Sequence, residues 1–72
     1  MKDSISVRFR TRLKELRTAR HLTQEQAAER CDLSVKTYQF YESGLRRNPR
    51  LSTLEKLARG FGVDVSALLS RL

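Results

Sequence analysis

The chain has 72 residues, of which 39% are hydrophobic and 32% are charged. This length suffices for one small domain with a modest core, so we expect residues 1–72 to form a single domain. No apolar run reaches the roughly 18–20 residues that span a bilayer, and no secretory signal is visible, so we expect a cytoplasmic protein that does not contact membranes. The formal net charge of +7 favours a polyanionic partner, although many small solvated domains are also basic.

The sequence offers no constellation for enzymatic or metal chemistry. It contains a single cysteine, Cys31, and a single histidine, His21, which excludes an intramolecular disulfide and a zinc cluster. Nucleophile triads and glycine-rich phosphate loops are also absent from the sequence. We therefore expect no enzyme, no cofactor and no metal. Cys31 is expected to be a small buried residue, with a redox-sensing role as the alternative.

The first predicted helix runs from about Ser4 or Ser6 to Arg20. Phe9, Leu13 and Leu16 recur at spacings of three and four residues, which indicates one buried stripe. Basic residues between positions 8 and 20 point in several directions around this helix. We expect most of them to be solvated.

Residues 23–43 predict two short helices joined by a tight turn, the pattern of a helix-turn-helix. Thr23 and Gln26 form a predicted capping box at the start of the first helix, and Ser34 caps the second. Asp32 occupies the turn, where a left-handed backbone is expected. Predicted inward-facing residues are Ala27, Ala28 and Cys31 on the first helix, and Tyr38 and Tyr41 on the second.

The remaining residues predict a loop and two further helices. Pro49 prevents a helix from running through the loop. Ser52 and Glu55 predict a capping box at the start of the fourth helix, which Gly62 ends. Asp64 begins the fifth helix. The predicted fold is thus an all-α bundle of five short helices.

Residues 12–69 resemble the phage repressor and Cro-like helix-turn-helix family, also called Xre-like. The matching segments are "RLKELRTARHLTQEQAAERCDLS", "YESG", "RNP" and "LEKLARGFGVDVSALL", in the family's order. The resemblance implies a lambda-repressor-like fold and sequence-specific binding of double-stranded DNA by a homodimer. It implies a transcriptional regulator, and a repressor in particular. Asp32, Lys36 and Phe40 depart from the residues common in the family, so the target sequence is not implied.

In such a protein the second helix of the motif enters the major groove. The residues on its outer face that we expect to contact bases are Val35, Lys36, Gln39 and Phe40. Lys36 suits guanine and Gln39 suits adenine, while Val35 and Phe40 could touch thymine methyl groups. For Phe40 the alternative is packing against the adjacent loop or against a partner protein.

Phosphate contacts are expected around the motif and in the loop after it. Gln24 matches the family residue that contacts a phosphate at a helix N-terminus. Arg46, Arg47 and Arg50 cluster around Pro49, where they could bind phosphates beside the groove. The expected set is Thr23, Gln24, Ser34, Ser43, Arg46, Arg47 and Arg50.

The resemblance also implies structural roles. Arg17 and Glu42 match a largely buried salt bridge between the first and third helices. The loop after the third helix and the start of the fifth meet across the dimer axis of such repressors. This implicates Pro49, Leu51, Val63, Val65 and Ser66.

Two alternative functions remain open at this stage. One is an antitoxin-type module whose main partner is a toxin protein. The other is the DNA-binding fragment of a larger regulator whose sensor domain lies beyond Leu72.

Overall fold

The computed structural model describes residues 5–44 and 48–70, and their regular structure is entirely helical. The five helices are α1 (Ile5–Ala19), α2 (Gln24–Arg30), α3 (Val35–Ser43), α4 (Leu51–Phe61) and α5 (Val65–Leu69). The predicted all-α bundle of five short helices is therefore confirmed.

Three helices begin at the predicted capping residues. Thr23 Oγ1 accepts from the backbone N–H of Gln26 at 3.0 Å, and Gln26 Oε1 accepts from that of Thr23 at 2.9 Å. The Ser34 hydroxyl caps α3 by accepting from the backbone N–H of Thr37, and the Asp64 carboxylate caps α5 by accepting from that of Ala67. These caps depend on side chains only three residues away, which is why the sequence reveals them.

The helix ends use left-handed backbone as expected. Gly44 and Gly62 end α3 and α4 with φ values of 89° and 72°. His21 and Asp32 adopt φ values of 56° after α1 and α2, in positions that glycine often occupies. The expectation of a left-handed residue at Asp32 is confirmed.

The start of α4 differs from its prediction. The helix begins at Leu51, its N-cap is Arg50, and that residue forms no side-chain cap bond. Ser52 is therefore already helical, and the predicted capping box of Ser52 with Glu55 is wrong. The backbone gains an early bond instead, from Leu54 N–H to the carbonyl of Arg50 at 2.9 Å.

The hydrophobic core joins all five helices. The α1 stripe of Phe9, Leu13 and Leu16 is buried as predicted, and Cys31 is only 1% exposed. α2 packs against α3 and α4, while α1 packs against α3 and α5. The other buried hydrophobic residues in the described part of the chain are Ala27, Ala28, Tyr38, Tyr41, Leu57, Ala58, Phe61 and Leu68.

Two arginines of α1 donate to carbonyl groups at the ends of other helices. Arg10 Nη1 donates to the carbonyl of Ser43 at 3.0 Å, at the end of α3. Arg12 donates to the carbonyls of Ala67 and Leu68 at 2.8 and 3.2 Å, at the end of α5. The last carbonyls of a helix lack intrahelical partners and carry partial negative charge, so a guanidinium binds them well.

Arg20 makes the corresponding contact with α4. Its Nε donates to the carbonyl of Phe61 at 2.9 Å, and its guanidinium lies 5.7 Å from the centroid of the Phe61 ring. Arg17 is also engaged, as described below. The expectation that most basic residues of the first helix are solvated is therefore wrong for Arg10, Arg12 and Arg20.

Candidate nucleic-acid interface

α3 has one buried face and one face toward solvent. Tyr38 is fully buried and Tyr41 is 6% exposed, which anchors the inner face in the core. On the other face Val35 and Lys36 are exposed, while Gln39 and Phe40 are half-buried. The structure thus brings the four residues predicted to contact bases together on the accessible side of one helix.

Lys36 and Phe40 lie next to each other on this face. The ammonium nitrogen of Lys36 is 5.8 Å from the centroid of the Phe40 ring, a cation–π distance. Among the described residues, Phe40 lies outside the cluster of side chains that form or cover the core. The ring itself is half-buried.

A hydrogen-bonded pair of glutamines connects α2 to α3. The side-chain amide of Gln39 donates to Gln24 Oε1 at 3.1 Å. Gln24 Nε2 in turn donates to Glu42 Oε1 at 3.0 Å. A residue predicted to contact phosphate and one predicted to contact a base therefore hold each other in place.

Glu42 is the acceptor of a bidentate ion pair with Arg17. Arg17 Nε donates to Glu42 Oε2 at 2.9 Å and Nη2 donates to Oε1 at 2.8 Å. The side chains are 14% and 5% exposed, respectively. Arg17 Nη1 also donates to the carbonyl of Leu22 at 3.0 Å, in the turn between α1 and α2. The pair therefore ties the end of α3 to α1 and to the start of the motif.

Electrostatics keep both members of the pair charged. Burial raises the pKa of Glu42, but the hydrogen bonds from Arg17 and Gln24 and the charge of Arg17 outweigh it, so the pKa is below its usual value. The hydrogen bond to Glu42 raises the pKa of Arg17. Burial, reinforced by the nearby Glu42 carboxylate, raises the pKa of Tyr38. Within the described residues the Tyr38 hydroxyl has no partner in good hydrogen-bond geometry, so it and Glu42 affect each other through their proximity.

Three residues expected to contact phosphate adjoin the accessible face of α3: Ser34 and Ser43 lie at the two ends of the helix, and Gln24 bonds to Gln39. The hydroxyls of Thr23 and Ser34 serve as helix caps. Ser43 at the end of α3 and Arg50 at the start of α4 are exposed. Arg46 and Arg47 lie outside the described residues.

The residues expected at a dimer contact differ in exposure. Leu51 is 78% exposed, which is unusual for a leucine. Ser66 is exposed and Pro49 is half-buried. Val63 and Val65 are partly buried against the core, so part of their apolar surface is already used within the fold.

In the described part of the chain, no group of three or more histidine, cysteine or acidic side chains is placed to hold a metal ion. None of the described helices is long and apolar enough to cross a membrane.

Sequence reasoning missed the bonds that join Gln24 to Glu42 and Gln39. Both glutamines were singled out individually, but their contact depends on how α2 and α3 pack. The sequence indicated this contact only through Ala27 and Ala28, whose small side chains allow α2 and α3 to pack close together.

Comparison with known proteins agrees with this geometry. The helix-turn-helix family model matches residues 13–68. The chain therefore belongs to the helix-turn-helix family of DNA-binding transcriptional regulators that includes the phage repressors and Cro-like proteins.

The chain is 39% identical over 62 residues to the cryptic phage CTXphi transcriptional repressor RstR of Vibrio cholerae, covering 86% of this chain and 55% of RstR. It is 39% identical over 69 residues to control protein C.MunI of Mycoplasma sp, covering 94% of this chain and 92% of that protein. It is 45% identical over 58 residues to the immunity repressor of Bacillus phage phi105, covering 81% of this chain and 40% of the repressor. The chain thus spans about half the length of the two repressors. No solved structure is significantly similar to it.

Proposed function

We propose that residues 1–72 form one domain, which binds specific DNA sequences and serves a regulator that represses transcription in the cytoplasm. α3 enters the major groove of double-stranded DNA. The observation that supports this most directly is the division of α3 into a buried tyrosine face and an accessible face of Val35, Lys36, Gln39 and Phe40. Two of the three relatives described above are named repressors, which favours repression.

Each residue of the accessible face has a chemical role in this proposal. Lys36 donates to guanine O6 or N7, and Gln39 forms a paired contact with adenine. Val35 and Phe40 contact thymine methyl groups. Gln39 suits its role because its hydrogen bond to Gln24 already restricts its side chain. The side chain therefore loses less conformational entropy when it binds DNA.

Contacts to the phosphates hold α3 in register on the duplex. Arg50 contributes the clearest of these, because it is exposed at the start of α4. The loop arginines Arg46 and Arg47, which lie outside the described residues, complete the proposed basic contacts. Gln24 and the exposed Ser43 contribute neutral donors, as do the backbone groups near Thr23 and Ser34.

The proposed binding unit is a homodimer on a two-fold symmetric operator. The exposed Leu51 is the strongest support, since burying a fully exposed leucine side chain yields roughly 1.5–3 kcal/mol. Pro49, Val63, Val65 and Ser66 complete the proposed contact.

Selection of bound duplexes from a random library tests the proposal. We expect a palindromic consensus whose half-sites lie about 10–10.5 base pairs apart, or a multiple of that distance. Lys36→Ala should cost about 1–3 kcal/mol on the consensus and much less on random DNA. Lys14→Ala removes the same charge from α1 and serves as the control. A protein that enriches no sequence would refute the proposal.

The phosphate contacts are tested by salt dependence. We expect Arg50→Ala to weaken binding to all sequences alike and to reduce the slope of log K against log salt by about one. Arg59→Ala removes the same charge from the opposite end of α4 and should leave the slope nearly unchanged. Equal slopes for wild type and Arg50→Ala would exclude Arg50 as a phosphate contact.

A further inference from the structure

A continuous chain of hydrogen bonds runs from α1 to the accessible face of α3. Arg17 donates to Glu42, Glu42 accepts from Gln24, and Gln24 accepts from Gln39. The chain begins at an ion pair whose carboxylate side chain is 5% exposed and ends at the half-buried Gln39 on the accessible face of α3. The Glu42 carboxylate is thus connected to the amide of Gln39 through one side chain, that of Gln24.

The chemistry of the carboxylate fixes the direction of every bond in this chain. An ionised Glu42 only accepts hydrogen bonds, so Gln24 must turn its NH2 group toward it. The carbonyl oxygen of Gln24 is then directed to Gln39, which must offer its own NH2 group. In the described part of the chain these bonds use one N–H of Gln39 and leave its second N–H and its carbonyl oxygen for another partner.

We infer that Glu42 is a positioning residue for base recognition, which acts through Gln24 to make Gln39 specific for adenine. Gln39 held this way presents one donor and one acceptor. The major-groove edge of adenine offers the matching pair, since N7 accepts and the N6 amino group donates. Guanine offers two acceptors at that edge, O6 and N7. The carbonyl oxygen of Gln39 would face one of these acceptors, and no hydrogen atom would lie between them to form a bond.

The substitution Glu42→Gln reverses this logic without changing the size of the side chain. An amide at position 42 places its NH2 group against a guanidinium N–H of Arg17 whichever way it turns, so the pair is disrupted. Gln24 is then no longer required to turn its NH2 group inward and can turn that group toward Gln39. Gln39 can then turn over and present its NH2 group to the DNA. A donor-only group suits guanine. We therefore expect relaxed discrimination between adenine and guanine.

The experiment is selection from a random duplex library with the full chain. It compares wild type, Gln39→Ala, Glu42→Gln and Glu15→Gln. Gln39→Ala identifies the base pair that Gln39 contacts, because preference is lost there. At that base pair we expect Glu42→Gln to reduce the ratio of adenine to guanine about tenfold, while preferences at the other positions persist. Glu15→Gln makes the same chemical change on the exposed surface of α1 and should preserve the wild-type consensus.

A second variant covers the case in which Glu42→Gln does not fold. Gln24→Met removes the intermediate amide but keeps the ion pair between Arg17 and Glu42. We expect it to lower the same adenine preference, together with a uniform loss of affinity.

The inference rests on the proposed function, and the outcomes separate the two. If wild type enriches no consensus, the proposed function fails and this inference with it. If wild type enriches a consensus but Glu42→Gln and Gln24→Met retain the full adenine preference, only the positioning role of Glu42 is overturned. A Gln39→Ala variant with the wild-type consensus overturns it as well.

Discussion

Gly60 in α4 lies directly against the backbone of Cys31, the residue at which α2 ends. A Cβ atom on Gly60 would come within 2.8 Å of both the Cα and the backbone nitrogen of Cys31. Replacing glycine by alanine inside an open helix stabilises it by about 1 kcal/mol. Here we expect the opposite sign, with Gly60→Ala lowering the free energy of unfolding by about 1–3 kcal/mol, because overpacking forces the helices apart. Urea denaturation measures the difference.

Two further variants show that the cause is this contact. Arg59→Ala alters the neighbouring, exposed position of α4 and should change stability by less than about 0.5 kcal/mol. Cys31→Ala combined with Gly60→Ala removes the nearest atom, the Cys31 sulfur, but leaves the Cys31 Cα and backbone nitrogen at 2.8 Å, so it should recover only part of the loss. A Gly60→Ala protein as stable as wild type would contradict the close approach of α2 and α4.

The ion pair of Arg17 with Glu42 should make the free energy of unfolding depend on pH. The folded pKa of Glu42 is lowered, so its contribution is fully present above the unfolded value of about 4.3 and is lost as the pH falls below it. At neutral pH we expect Glu42→Gln to cost about 1.5–3 kcal/mol, as for other hydrogen bonds to charged groups. The difference in the free energy of unfolding between wild type and Glu42→Gln should become smaller below about pH 4. Urea denaturation between pH 3 and 7 measures this difference.

Glu15 provides the comparison for this effect. It lies 3.9 Å from Arg12 and its side chain is 56% exposed, so its ion pair contributes little. Glu15→Gln should differ from wild type by a small amount that hardly varies with pH. A gap for Glu42→Gln that stays constant down to pH 3 would argue against a charged Glu42 in the folded state.

The Cys31 thiol should report on unfolding. It is 1% exposed, and burial raises its pKa to about 11. Because the thiolate is the reactive form, we expect iodoacetamide to react at pH 8 at least about a hundredfold more slowly with the native protein than with the urea-unfolded chain. Mass spectrometry follows the reaction. Ser52→Cys in a Cys31→Ala background places a thiol on the exposed start of α4 and should react rapidly, whereas equal native rates for the two thiols would mean that Cys31 is accessible.

Phe40 is expected to contribute to DNA binding more than to stability. It lies outside the described core cluster and beside Lys36 on the accessible face of α3. We expect Phe40→Ala to cost less than about 1 kcal/mol in unfolding free energy, compared with about 3–5 kcal/mol for the buried Phe61→Ala. Thermal melting measures both.

The binding role of Phe40 is tested by removing methyl groups from the DNA. An operator series in which thymine is replaced by uracil deletes only the C5 methyl group. We expect one replacement in each half-site to weaken binding of wild type but not of Phe40→Ala. Indifference of wild type to every methyl group, together with a large melting loss for Phe40→Ala, would assign the ring to the fold.

The sequence predicted those parts of the fold that depend on near neighbours. The caps at Thr23, Ser34 and Asp64 and the left-handed ends at Gly44 and Gly62 each involve residues within one helical turn. The exception is Ser52, whose capping sequence was present but whose helix begins earlier, at Leu51. A local pattern identifies a favourable start without excluding a better one nearby.

The candidate site was predictable as a set of residues but not as an arrangement. The four outward positions of α3 followed from the inward positions of Tyr38 and Tyr41. The bonds from Gln24 to Gln39 and Glu42 did not, because they depend on the distance and angle between two helices. Arg10, Arg12 and Arg20 were assigned to solvent for the same reason, since their acceptors Ser43, Ala67 and Phe61 lie far away in the sequence.

The contact between Arg12 and the end of α5 also has a consequence for the order in which the protein folds during its synthesis. Arg12 and its acceptor Ala67 are separated by 55 residues. At roughly 5–20 residues per second, a ribosome adds Ala67 about 3–11 s after Arg12. Helices α1 to α3 are complete well before then, yet Arg12 must stay hydrated until α5 has left the exit tunnel. The hydrogen bond from Arg12 to the carbonyl of Ala67 is therefore among the last contacts that the nascent chain can form.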